Sequence, residues 1–116
     1  HAEAKNCALF NGSLRRALGW VGRDQVVALW ADYCGTLHGN RARLDRSPLM
    51  DIDYLMRERI MQRQAVVAFT FCKRNGERSV AVVKKAIEDI ATRHSTFVHF
   101  QVVYEYRNMV YLQMLV

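Results

Sequence analysis

The sequence predicts an α+β fold, with N-terminal helices packed on a small curved antiparallel sheet or on strands curled into a partly open barrel. Three observations predict it. Helical spacing of apolar residues fills the first half, and β-branched and aromatic runs fill the second. Asn75-Gly76 and Arg107-Asn108 stand where tight turns are needed, Asn-Gly being the stronger because both residues tolerate positive φ. The 116 residues read as a single domain, 1–63 mainly helical and 64–116 mainly β, long enough to bury a core without staples.

From Ser13, a good N-cap, Leu14, Ala17, Leu18 and Val21 recur at helical spacing, and Gly19 and Gly22 limit the helix to a short one. Asp24 is then read as the cap of a longer helix, because Val26, Val27, Trp30, Tyr33, Cys34 and Leu37 recur at i, i+3, i+4 before Gly35 or Gly39. A basic loop with Arg41, Arg43 and Arg46 leads to Pro48. Asp51 or Asp53 is read as the cap of a third helix reaching about Gln62, apolar at Ile52, Leu55, Met56 and Ile60 and basic at Arg57, Arg59 and Arg63.

Ala65 to Lys73 alternates Val67, Phe69 and Phe71 against Val66, Ala68, Thr70 and Cys72, the pattern of a strand buried on both faces. After Asn75-Gly76 the chain returns through Glu77 to Val83 as a strand, or begins its next helix as early as Glu77 or Ser79. Lys84 to Arg93 is helical, with Ala86, Ile87, Ile90 and Ala91 on one face. Phe97 to Tyr106 reads as a strand with Val98, Phe100, Val102, Tyr104 and Tyr106 on one side, and Met109 to Val116 returns as the last strand.

Lys and Arg number 17 against 11 Asp and Glu, a formal charge of +6, which favours nucleic acid, an anionic membrane surface or an acidic protein as partner, with solubility alone as the competing reading. Cys7, Cys34 and Cys72 are far apart and form no C-x-x-C, so they are expected as reduced thiols in a cytoplasmic setting. Gln101, Glu105 and Arg107 interrupt the longest apolar segment, so no membrane span is expected. His38, His94 and His99 lack zinc-ligand spacing, Asp51-Ile52-Asp53 suits helix capping better than a metal or acid/base pair, and Cys34 and Cys72 sit in apolar patterns that read as buried structural thiols rather than nucleophiles. No catalytic residue, metal site or cofactor is therefore called for.

The run from Val67 to Val80, with Phe71, Lys73, Asn75-Gly76 and Arg78, and the closing Val110-Tyr111-Leu112 resemble the small SH3-like or Sm-like β-barrel domains related to the WYL domain. Valine stands where that family has the Trp of Trp-Tyr-Leu. The resemblance covers Val66 to Val116 and implies a partly open SH3-like barrel serving nucleic-acid binding or regulation in bacteria and their mobile elements.

The function expected from the sequence is non-enzymatic: an accessory or regulatory protein that binds DNA or RNA through phosphate contacts. Arg41, Arg43, Arg46, Lys73, Arg74, Arg78, Lys84 and Lys85 are the expected phosphate ligands. Tyr104, Tyr106 and Tyr111 are the expected stacking residues, against a competing reading in which they are core with hydroxyls at the rim. The alternative function is a homo-oligomeric interaction module that uses an exposed edge strand or apolar patch, giving a homodimer or a complex with a protein partner.

Overall fold

In the computed structural model of the chain, residues 8–36, 48–72 and 80–116 are described. They form, in order, α1 (Leu14–Leu18), β1 (Val26–Thr36), α2 (Pro48–Arg57), β2 (Met61–Cys72), α3 (Val80–Arg93), β3 (His99–Tyr106) and β4 (Met109–Leu115). The strands make one sheet in the order β1-β2-β4-β3. β1 and β2 are parallel, whereas β4 is antiparallel to both β2 and β3. β3 therefore runs in the same direction as β1 and β2, with β4 inserted between.

The sheet is open, with β1 and β3 as its two edges, so neither the wholly antiparallel sheet nor the SH3-like barrel expected from the sequence is present. The reason lies in β1. Apolar positions at i, i+3, i+4 make Val26 to Thr36 look helical, but the same residues also alternate. Leu29, Ala31 and Tyr33 pack toward the helices while Trp30 and Asp32 are exposed on the far side. Valine, tryptophan and tyrosine favour a pleated surface, and the ladder to β2 from Ala28↔Val66 to Asp32↔Thr70 decides between the two periods. Asp24 is not a cap either. Its φ of 56° is left-handed, whereas a capping residue is extended, as Ser13 is at φ −72°, ψ 156°.

Pro48 occupies the first position of α2, where its missing N–H costs nothing. Strand β2 begins four residues before the expected Ala65, and Val80 to Val83 belongs to α3, settling the open assignment there in favour of helix. Helix and strand meet in one core on a single face of the sheet. Ile52, Leu55 and Met56 from α2, Val83, Ile87 and Ile90 from α3 and Leu18 from α1 cover Val67, Phe69 and Phe71 of β2 and Val110, Leu112 and Met114 of β4. Each such side chain, fully buried, contributes about 2 kcal/mol relative to exposure.

The opposite face has no helix on it among the described residues. Its outward residues on the two inner strands, Val66, Ala68, Thr70 and Cys72 of β2 and Met109, Tyr111, Gln113 and Leu115 of β4, include no charge. On β3 a register shift between Phe100 and Val102 changes the phase of the strand. Phe100 faces the helices while Val102, Tyr104 and Tyr106 turn to the open face, so the shared side expected for all of them is divided by the bulge.

Candidate functional site

The parallel pair β1 and β2 places two strand carboxyl ends side by side, the position at which open sheets with parallel strands bind ligands. Asp32 and Thr70 are cross-strand partners there, and the Thr70 hydroxyl donates to Asp32 Oδ1 on the open face. The other oxygen of Asp32 has no partner among the described residues. Thr70 thus fixes the carboxylate while leaving it able to accept a hydrogen bond from outside.

The next residue, Tyr33, points to the helical side. Its hydroxyl donates to Asp51 Oδ2 at 2.6 Å, and Arg15 Nε donates to Asp51 Oδ1 at 3.0 Å. The Tyr33 ring stacks near that of Phe69, with centroids 6.2 Å apart. Asp51 is only 5% exposed, so the cluster ties the end of β1 to α2 and α1 through one buried carboxylate. Burial holds the Asp51 carboxyl above its ordinary value, against the opposing pull of Tyr33 and Arg15. Burial, then the hydrogen bond to Asp51, pushes the Tyr33 phenol far up, so it is a hydrogen-bond donor at every working pH. Asp51 is therefore a clamp and not the helix cap expected from its position, and Asp53 accepts from Arg57 Nη1 at 3.4 Å and lies 2.7 Å from His94 Nε2.

Of the residues singled out in the sequence, Arg41, Arg43 and Arg46, and Lys73, Arg74 and Arg78, lie outside the described residues. Lys84 and Lys85 are on α3: Lys84 Nζ sits 5.1 Å from the centre of the Phe100 ring, and Lys85 Nζ is 2.9 Å from Asp89. Tyr104 and Tyr106 are exposed on the open face, and Tyr111, paired with Tyr104, donates its hydroxyl to Gln113 at 2.8 Å. The sheet thus separates these lysines from these tyrosines. The Cys72 thiol, at the same strand end as Thr70, lies 3.5 Å from Met109 Sδ. Among the described residues no three potential ligand side chains gather around a metal position, and no helix is long and apolar enough to cross a membrane.

Sequence reading missed Asp32, Thr70 and the Arg15–Tyr33–Asp51 cluster. The available signal was the run Val26-Val-Ala-Leu-Trp-Ala31 read at period two, closed by Asp32 and followed by Gly35.

Asp32 and Thr70 line neither of two further cavities. One, about 460 Å³, is lined from α1, α2 and α3 by Arg15, Asp53, Arg57 and Arg93 among others. The other, about 530 Å³, lies at the opposite end of the sheet, where α2 and α3 finish and β2 begins.

No family model matches the chain, and no curated protein matches it. Among solved structures it is similar to a candidate DNA modification methylase from Thermus thermophilus, in a selenomethionine derivative, with a TM-score of 0.51 and 12% identity. That match covers 90% of this chain and 50% of the other. The same protein complexed with S-adenosyl-L-methionine aligns with a TM-score of 0.49 and 13% identity over the same shares. The chain thus spans about half the length of the structure it matches. The expectation of a non-enzymatic accessory or assembly module on a WYL-like barrel is corrected by these findings: the sheet is mixed and open, and its fold is shared with a protein described as an enzyme.

Proposed function

We propose that this sheet is part of a catalytic α/β domain that transfers a methyl group to nucleic acid, with the reaction at the carboxyl ends of β1 and β2. The observation that carries the proposal is Asp32, a carboxylate fixed by Thr70 toward the carboxyl end of a parallel strand, its other oxygen without a partner among the described residues. Such an oxygen would accept a hydrogen bond from a base amino group and take up the proton which that nitrogen loses when a methyl donor, leaving as its thioether, methylates it. The likeness to the Thermus protein supports the reaction class. In this reading the basic segments that follow β1 and β2, with Arg41, Arg43 and Arg46 and with Lys73, Arg74 and Arg78, neutralise substrate phosphates.

The described residues at this end offer a carboxylate, hydroxyls and a thiol, which suit the acceptor group. They do not suit a whole methyl donor. The test is transfer of tritiated methyl from S-adenosylmethionine to mixed-sequence DNA by the protein in its native polypeptide. Label in DNA is the expected result, and DNA left unlabelled at saturating donor contradicts the proposal.

A further inference from the structure

The cavity at the far end of the sheet is built from an irregular strand. Val26 pairs with Met61 but Ala28 pairs with Val66, so two steps on β1 oppose five on β2. Gln62, Arg63 and Gln64 leave the ladder and are exposed. Gln64 is left-handed at φ 62°, and its N–H donates to the carbonyl of Val116 at 3.0 Å, which seats the excursion against the end of β4.

Among the described residues, four of the five non-glycine residues with positive φ, Asp24, Arg59, Gln64 and Ser95, line this one cavity. Arg59 and Ser95 close α2 and α3: Ile60 N–H reaches the Leu55 carbonyl at 3.2 Å and Thr96 N–H reaches that of Ala91 at 2.8 Å. These bonds occupy carbonyls that would otherwise repel an anion. Glycine is the ordinary residue at such a helix end, and an arginine there is held in a backbone conformation that side chains disfavour.

Neither guanidinium lining the cavity, Arg59 or Arg63, has an ion pair or hydrogen bond among the described residues. Asp24, the carboxylate of the lining, pairs with neither. Arg15, Arg57 and Lys85 are paired, whereas Arg16, Arg23 and Arg93 are, like these two, without a side-chain partner among the described residues. Phe97, 92% exposed, lines the same cavity and leaves an aromatic ring open to solvent. Gln62 and Thr96 add hydrogen-bonding groups, and about 530 Å³ lies within the usual range for a small-molecule site.

We infer that this groove binds one nucleotide unit of a single-stranded nucleic acid, its phosphate between Arg59 and Arg63 and its base on Phe97. The site is separate from the strand carboxyl ends. It requires binding only, so it stands or falls independently of the methyl-transfer reading.

The test is fluorescence anisotropy of the full chain with a labelled dT oligonucleotide over a salt series, with a labelled duplex and with AMP as competitor. Three variants are compared: Arg59→Gly, which relieves the left-handed backbone and so keeps the fold, Arg63→Ser and Phe97→Ala. The expected result is a loss of about tenfold for the two arginine changes together, a salt slope flatter by about 1.4, and a loss of about fivefold for Phe97→Ala. Wild-type affinity in the arginine variants overturns the site. Equal binding of duplex with no effect of Phe97→Ala overturns the stacked base, and tight AMP binding with weak oligonucleotide binding overturns the strand as ligand.

Discussion

Asp51 carries more of the local structure than any other polar residue described, because one buried carboxylate receives both Tyr33 and Arg15. Asp51→Ala strands a phenol and a guanidinium together, and the expected cost is about 3 kcal/mol in urea unfolding. Asp51→Asn keeps an acceptor for Tyr33 and is expected to cost less. The sign of the pH dependence follows from burial. A carboxyl held above 3.8 keeps its proton more firmly folded than unfolded, so its contribution is greatest below that pH and falls as pH rises through the raised value. Wild type is therefore expected to lose stability relative to Asp51→Asn as pH climbs from about 3.8 toward neutrality, in parallel denaturant titrations. A gain over that interval would mean that Arg15 outweighs desolvation. None of this was legible in the sequence, where Asp51 precedes an apolar helical run and reads as a cap. Its burial is decided by Tyr33, 18 positions earlier on a strand whose residues also fit a helix.

At the scale of elements, legibility followed the strength of one periodicity over its rival. Short α1 with its Ser13 cap, the helix ending at Arg93 and the C-terminal hairpin were all readable, the hairpin because alternation and the Arg107-Asn108 turn agree. β1 was not, since its eleven residues satisfy both a helical and a strand pattern and only pairing with β2 separates them. The bulge after Phe100 was equally hidden, because a one-residue change of phase leaves no mark in composition. The two sheet faces give contrasting expectations. Leu112→Ala empties a fully buried position on β4 and is expected to cost about 3 to 4 kcal/mol, whereas Trp30→Ser removes a larger side chain that is 70% exposed and is expected to change stability by less than about 0.5 kcal/mol. Chemical unfolding of the two variants checks both values; a large loss at Trp30 would show that the open face is covered.

For the whole molecule, helices cover one face, and on the opposite face the two inner strands carry no charge and no covering helix among the described residues, so the centre of the sheet is patterned for burial on both sides. The sequence hinted at this in β2, whose residues alternate between two apolar faces, yet the mixed strand order is out of reach while β1 is taken for helix. With β1 in place, the site moves from a basic turn to the paired strand ends, and Asp32 becomes the group on which the functional account depends. The most direct measurement is single-turnover methylation of DNA by wild type and by Asp32→Asn, with Trp30→Ser as the open-face control. Asparagine still accepts the Thr70 hydroxyl, so folding is expected to hold while the methylation rate falls by about 100-fold and Trp30→Ser leaves it near wild type. Methylation at the wild-type rate in Asp32→Asn would contradict a reaction centre at the carboxyl ends of β1 and β2.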